Sequence, residues 1–376
     1  MGFRRLTMNR VLVGMGLFSV GCVEAKEETA RCDGEAIICT IAGTGDQGYN
    51  HQNQSATDTD LNFPNAVAFD GDGDLLINDS RNFLIRQLDG LNLMSVVGKV
   101  ANTYAQTGPA LNSPLYNVSD MVVAPDGRLF IVEGLGHQVS VVDLAAGELT
   151  VIAGIQAITT GFDETEVAAE DAQFDSLSGV AVGDDGTVYL SDSGSNLIRA
   201  ITPDNTVITV AGADAEGFPI AADSEDDQNR LDAPQKLVFH EGTLYVADSG
   251  RHRIAAVDVE TGAITNVIGT TDNRGYFGDG AAAEDALLSD PYGFAFNGAG
   301  RMIIADTGND ALRAVFADGT IDTVAGRGAT GFAGDTETSE GASLHGPMDI
   351  EYAPDGDVVF ADTENAVVRR IDQPTW

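Results

Sequence analysis

Five histidines, three cysteines and 58 acidic residues are the groups in this 376-residue chain that could do metal, nucleophilic or acid–base chemistry. Their spacing first excludes several chemistries. There is no Cys-x-x-Cys pair, no Gly-x-Ser-x-Gly elbow, no cysteine–histidine nucleophile pattern and no phosphate-cradling glycine loop. His51, His240 and His345 are isolated, while His137 and His252 occupy equivalent turn positions, so a three-histidine zinc site has no support. The acids, by contrast, recur. Asp79, Glu133, Asp192, Asp248, Asp306 and Asp362 each follow a short apolar run, at intervals of 54, 59, 56, 58 and 56 residues. A carboxylate present in every copy reads as a turn acid. It accepts backbone N–H groups or pairs with a strand arginine such as Arg86, Arg199, Arg313 or Arg369. Positions that differ between copies are better places to look for function. Two residues after each proline-equivalent position stand Ala66, Asp120, Gly179, Lys236, Gly293 and Asp349, small and charged on alternate copies. If these residues face one axis, Asp120, Lys236 and Asp349 converge there, as a small polar or metal-binding ring or as a salt-bridged plug.

The elements that must position them follow from the fifth copy. Tyr292 to Phe296 alternates as a strand, and Asn297-Gly298-Ala299-Gly300 supplies a turn. Arg301 to Ala305 and Ala311 to Phe316 are the next two strands, joined through Asp306-Thr307-Gly308-Asn309. Asp318-Gly319 turns into a fourth strand, Thr320 to Ala325. Four short antiparallel strands repeated six times predict an all-β, six-bladed propeller. The last copy stops at Trp376 without a fourth strand, and Ala36 to Gly43 matches the missing piece, Gly319 to Gly326, in register. The N-terminal strand therefore closes the last blade and removes an open edge. Asp70-Gly-Asp-Gly-Asp74 lacks the sixth-position glycine and late glutamate of an EF-hand and falls where the other copies turn, so it reads as a hairpin.

These signatures closely resemble the NHL repeat family. The matching elements are Pro-x-Gly-(Val/Phe)-Ala, the (Val/Ile)-Ala-Asp-(Ser/Thr)-x-Asn turn with its following arginine, and Gly-x-Ile-x-Thr-Val-Ala-Gly. A further loop reads Gly275-Tyr-Phe-Gly-Asp-Gly280 and, in part, Gly331-Phe-Ala-Gly-Asp335. The resemblance covers Ala36 to Asp372. The second copy departs most, with Glu133-Gly134-Leu135-Gly136 at its turn and Ser140 in place of the arginine; the fourth has Arg253 and Ala255. Amidating lyases that resemble these propellers draw zinc ligands from Pro-His pairs, but none of the eleven prolines here precedes histidine. The equivalent positions hold Asn65, Ser119, Ser178, Gln235, Tyr292 and Met348. Calcium-dependent lactonases of similar shape use Glu, Asn and Asp in the channel, a set that Asn65, Asp120 and Asp349 imitate. Calcium is thus the one cofactor left open, and no confident metal site is expected. The inter-blade loops carry a glycine–aromatic element at Tyr49, Phe162, Phe218, Tyr276, Phe277 and Phe332, expected on one face. Aromatics among acids suit a cationic peptide, protein or glycan; alternatively each ring anchors its own loop.

The formal net charge of −38 disfavours nucleic acid and anionic membranes, which need cationic contacts. Residues 1–21 read as a signal peptide, a basic start followed by an eleven-residue apolar stretch too short to span a bilayer. Phe18-Ser19-Val20-Gly21-Cys22 resembles a bacterial lipobox with Cys22 as the lipidation site. Residues 22–35 then form a tether and residues 36–376 the propeller. Cys32 and Cys39 remain as an even pair for a disulfide. The resulting expectation is an exported monomer in the periplasm or at the cell surface, lipid-anchored in the outer membrane. It would bind a protein, peptide or glycan through its loop face, the alternative being a metal-dependent lyase or lactonase at the channel mouth.

Overall fold

A computed structural model of the chain describes residues 36–50, 54–100, 103–155, 166–214, 218–221, 227–326, 330–372 and 374. The signal segment, the tether with Cys22 and Cys32, and the loop bearing Phe162 lie outside the described residues. Six antiparallel sheets form six blades around one axis. Their inner strands are Pro64–Phe69, Val118–Val123, Leu177–Val182, Pro234–His240, Phe294–Phe296 and Pro347–Tyr352. Each inner strand packs against the next, and the sixth returns to the first, so the ring is closed. Closure uses the strand Ile37–Ala42, which pairs with Val367–Asp372 in the register Ile37↔Asp372 through Thr40↔Arg369. Cys39 lies on that closing strand.

The expected blade of four strands gains a fifth in five of the six sheets. The extra strand is a two-residue segment such as Gln54–Ser55 or Ala281–Ala282, contributed by the incoming inter-blade loop. It pairs with the start of the outer strand, where unpaired backbone groups would otherwise face solvent, and so covers the blade edge. The loops therefore do not stand wholly on one face: five of them fold back along an edge before entering the next blade. The fourth blade has four strands among the described residues.

The core lies between blades. One cluster joins Leu76, Ile85 and Val97 of the first blade to Met121, Leu129 and Ile131 of the second, and another joins Ile303 and Leu312 of the fifth to Ile38, Ile350 and Phe360 of the sixth. Alternation along each strand sends one row of side chains to each neighbouring blade, which is why the strands are apolar on both faces. Inner strands approach closely at two glycines. A Cβ at Gly179 would lie 2.2 Å from the Gln235 carbonyl oxygen, and one at Gly293 would lie 2.4 Å from that of Met348. No helix among the described residues is long and apolar enough to cross a membrane.

Candidate functional site

The inner strands carry a register shift where they meet the axis, between Pro64 and Ala66, Val118 and Asp120, Leu177 and Gly179, Pro234 and Leu237, and Pro347 and Ile350. Such bulges re-aim side chains. Here they bring together the three charged residues of the second, fourth and sixth blades. The Lys236 ammonium lies 3.0 Å from Asp120 Oδ1 and 3.1 Å from Asp349 Oδ1, with Glu351 Oε1 4.0 Å away. The other oxygens are engaged by backbone: Asp120 Oδ2 accepts the Val180 N–H at 3.0 Å, and Asp349 Oδ2 accepts the Val67 N–H at 2.9 Å. Each carboxylate thus ties its own blade to the next, and the lysine ties the two carboxylates together. The small residues Ala66, Gly179 and Gly293 leave the room these side chains fill.

All three are buried, Lys236 with 3% of its side chain exposed. Burial works against the Lys236 charge, but Asp120, Asp349 and Glu351 outweigh it and hold the ammonium well above the ordinary lysine value. Burial raises Asp120 to about 6 against the pull of Lys236, with Asp349 adding to the rise. Glu351 is raised to about 8, first by burial and then by Asp349 and Asp120, with Lys236 opposing. Tyr292, half-buried beside these acids, is raised too, first by desolvation and then by Asp120 and Asp349, and keeps its proton. The arrangement holds one ammonium between two carboxylates, where a cation ligated by this ring would have to sit. Metal binding through Asp120 and Asp349 would require displacing Lys236, and no cluster of metal-ligand groups occurs among the described residues. Asn65 is not brought into the ring by any hydrogen bond. Its amide donates to the Val118 and Ser119 carbonyl oxygens at 3.2 and 3.3 Å and accepts from Asn78 at 2.6 Å, joining the first blade to the second.

The recurrent acids do the two jobs expected of them. Asp79, Asp192, Asp248, Asp306 and Asp362 each accept a backbone N–H at 2.6–2.8 Å from the chain entering their blade. Each also faces an arginine, at 2.7 Å for Arg86–Asp79 and 3.4 Å for Arg369–Asp362. In the fourth blade Arg253 reaches Asp248 at 2.8 Å, which replaces the arginine missing at Ala255. The second blade has no such cation: Glu133 accepts the Tyr116 N–H at 3.2 Å, and burial raises its carboxyl to about 7. His137 and His252 sit in left-handed turn conformations, and their Nδ1 atoms accept N–H groups of Ser176 and Asp290 from the next blade.

These buried arginines also explain the aromatic loops. Tyr49, Tyr276 and Phe332 lie over Arg86, Arg313 and Arg369, with centroid distances of 5.5, 5.4 and 5.5 Å. The following loop acids Asp279 and Asp335 reach Arg313 and Arg369 at 2.8 and 2.7 Å. Ring and acid together clamp each loop onto the blade it enters, and cation–π contact adds to the ion pair. The outer surface of these three rings remains open: Tyr49, Tyr276 and Phe332 are exposed, as are two further loop rings, Phe218 and Phe277, the latter 67% exposed. Leu135, at the irregular second-blade turn, is also exposed. Sequence reasoning marked that turn as unusual but did not single out its leucine as a surface residue.

The model of the teneurin NHL domain matches residues 90–202. Suppressor of Quenching 1 of Arabidopsis thaliana is 28% identical over 300 residues, covering 73% of this chain and 27% of the relative. NHL repeat-containing protein 2 of Bos taurus is 24% identical over 287 residues, covering 68% of this chain and 39% of the relative. The chain thus spans well under half the length of these relatives. An auxiliary nutrient binding protein from Bacteroides thetaiotaomicron superposes with a TM-score of 0.65 at 16% identity, covering 89% of this chain and 76% of that one. A streptogramin B lyase superposes with a TM-score of 0.52 at 13% identity, covering 82% of this chain and 93% of that one. Both structural likenesses concern the fold.

Proposed function

We propose, from the premise that this chain is an NHL-repeat propeller, that it is an extracytoplasmic binding protein. Its exposed loop aromatics would engage a protein, peptide or glycan. The observation that carries this reading is the row of half-open rings, Tyr49, Tyr276 and Phe332, held rigid from beneath by buried arginines, with the exposed Phe277 beside Tyr276. A ring fixed on one side and open on the other offers apolar contact at little entropic cost. The surrounding negative charge favours a cationic partner. A similar architecture in a nutrient binding protein agrees with a ligand-binding role. The lipobox-like segment at Cys22 supplies the anchor and the Cys32–Cys39 pair would tie the tether to the closing strand. A lyase or lactonase reaction at a channel metal is disfavoured because the ammonium of Lys236 fills the place between the channel carboxylates.

The test is binding of peptide and glycan arrays by wild-type protein and by Phe277→Ala/Phe332→Ala. Hits shared by repeated arrays and lost in the variant, at unchanged melting temperature, support the loop face. Equal binding by both proteins removes it. Release of the protein from membranes by Cys22→Ala tests the anchor separately.

A further inference from the structure

The first hairpins of the second and fifth blades are the same turn. The Ala124 N–H donates to the Arg128 carbonyl oxygen and the Asn297 N–H to that of Arg301, each at 2.9 Å. Both turns end on an arginine, but what faces it differs. In the second blade Asp126, two residues earlier, takes the Arg128 guanidinium at 2.7 Å. The first, third and sixth blades keep an acid at that turn position, as Asp72, Asp185 and Asp355. In the fifth blade the residue is Ala299, and the half-buried Arg301 side chain makes no ion pair, hydrogen bond or ring contact with any described residue. Counter-charges are plentiful in a chain of net charge −38, so this arginine is unpaired because its own turn lacks the acid that the others carry.

Arg301 stands in the wall of a cleft of about 720 Å³ between the fourth and fifth blades. Three rings, Tyr245, Phe296 and Phe316, line it together with Val267 and Met302. The central ring is held in place: Phe296 stacks on His240 with centroids 4.2 Å apart and meets Tyr245 at 4.9 Å. The corresponding cleft between the first and second blades has no ring and no cation in its wall, and holds Asp70 and Asp72 instead. The cleft at Arg301 therefore has the size of a small-ligand site, with apolar walls and one group to fix orientation. Two exposed acids, Glu284 and Asp318, also border it. Asp318 is turned onto its own hairpin, where it accepts the Thr320 N–H at 3.1 Å and the Thr320 hydroxyl at 2.7 Å. One cation beside two acids suits a monoanion and disfavours a phosphate dianion. A planar guanidinium matches a carboxylate through two parallel bonds, and a flat apolar body fits among the rings.

We propose that this cleft binds a small aromatic monocarboxylate. Its carboxylate takes on Arg301 the place that Asp126 takes on Arg128, and its ring lies among Tyr245, Phe296 and Phe316. The site is at the first-hairpin end of the blades, away from the glycine–aromatic clamps, so it stands whether or not the loop face binds anything.

Calorimetry on the full chain tests this with phenylpropionate, its neutral amide, and propionate. The aromatic acid is expected to bind about tenfold more tightly than the amide, the worth of one charge-assisted pair. Propionate, which lacks the ring, should bind several-fold more weakly than phenylpropionate. Ala299→Asp restores the turn acid of the second blade and should occupy Arg301 from within, abolishing binding while the protein melts cooperatively. Absence of phenylpropionate binding to wild type at millimolar concentration, or equal binding of the acid and either control compound, would overturn the proposal. So would undiminished binding by a cooperatively folded Ala299→Asp protein. If Ala299→Asp does not fold, Arg301→Gln decides: a retained preference for the acid over the amide overturns the proposal, and loss of that preference supports it.

Discussion

Replacing Lys236 by methionine keeps the length and apolar stem of the side chain and removes the ammonium from between Asp120 and Asp349. In the native ring that ammonium is 3.0 and 3.1 Å from the two carboxylates, all of them buried. Removing one partner of a buried ion pair typically costs about 3–5 kcal/mol, because the remaining charge is left without compensation. For a propeller of this size that corresponds to a fall in melting temperature of roughly 4–7 °C. The loss depends on pH with a definite sign. Asp120 has a folded value near 6 even beside Lys236, above the 3.8 of an unperturbed aspartate. A raised carboxyl favours folding when protonated, so its contribution is full below the unfolded value and lost as pH rises through the folded one. Without the ammonium the folded value moves higher still. Lys236→Met should therefore melt well below wild type at pH 8 and approach it at pH 5. Asp120→Asn/Lys236→Met/Asp349→Asn, which removes every charge of the ring but keeps acceptors for the Val180 and Val67 N–H groups, should recover most of the loss. Thermal melts of the three proteins by circular dichroism at both pH values decide the matter. A Lys236→Met protein within 1 °C of wild type at pH 8, or one equally destabilised at both pH values, would refute the account of a desolvated plug.

Glu133 gives a second pH test, since it lacks the arginine of the other blades and its carboxyl stands near 7 against a usual 4.5. Its raised value means that stability is present at acid pH and lost through neutrality, so Glu133→Gln should stabilise by up to about 3 kcal/mol at pH 9 and by little at pH 4, as read by urea denaturation. Gly293→Ala should destabilise by about 1–3 kcal/mol, because the added methyl meets the Met348 carbonyl oxygen of the next blade; an unchanged denaturation midpoint would contradict this close approach. Arg313→Met should loosen the loop through Tyr276 and Asp279, seen as faster amide exchange around residues 275–280, while leaving the distant loop at Tyr49 unchanged. Deleting Ile37–Ala42 should leave the Val367–Asp372 edge open and give an aggregating chain with no cooperative melt.

Much of this was legible in the sequence because the sequence repeats. The recurrent acids, the arginines on the following strand and the alternating apolar runs each appear several times, so fold could be separated from variation without any other chain. The closing strand was legible for the same reason, as Ala36 to Gly43 supplies the piece absent after Asp372. The short edge strands were not, since two residues such as Gln54–Ser55 carry no periodicity and pair only because an edge is there to receive them. Nor was the exchange in the fourth blade. Arg253 stands two residues before the position of the missing arginine, and only packing shows that its guanidinium reaches Asp248 all the same.

The sequence by itself determined the number of blades, their circular order, and that charge alternates with small residues on successive inner strands. Period and alternation are local properties, and a chain that repeats them must bury them in the same way each time. What Asp120, Lys236 and Asp349 do was decided by tertiary structure. They are 116 and 113 residues apart in sequence, and only closure of the ring brings the ammonium between the carboxylates. Whether such a set is a metal site or a plug turns on distances of about 3 Å and on exclusion of water, and neither is encoded in spacing along the chain.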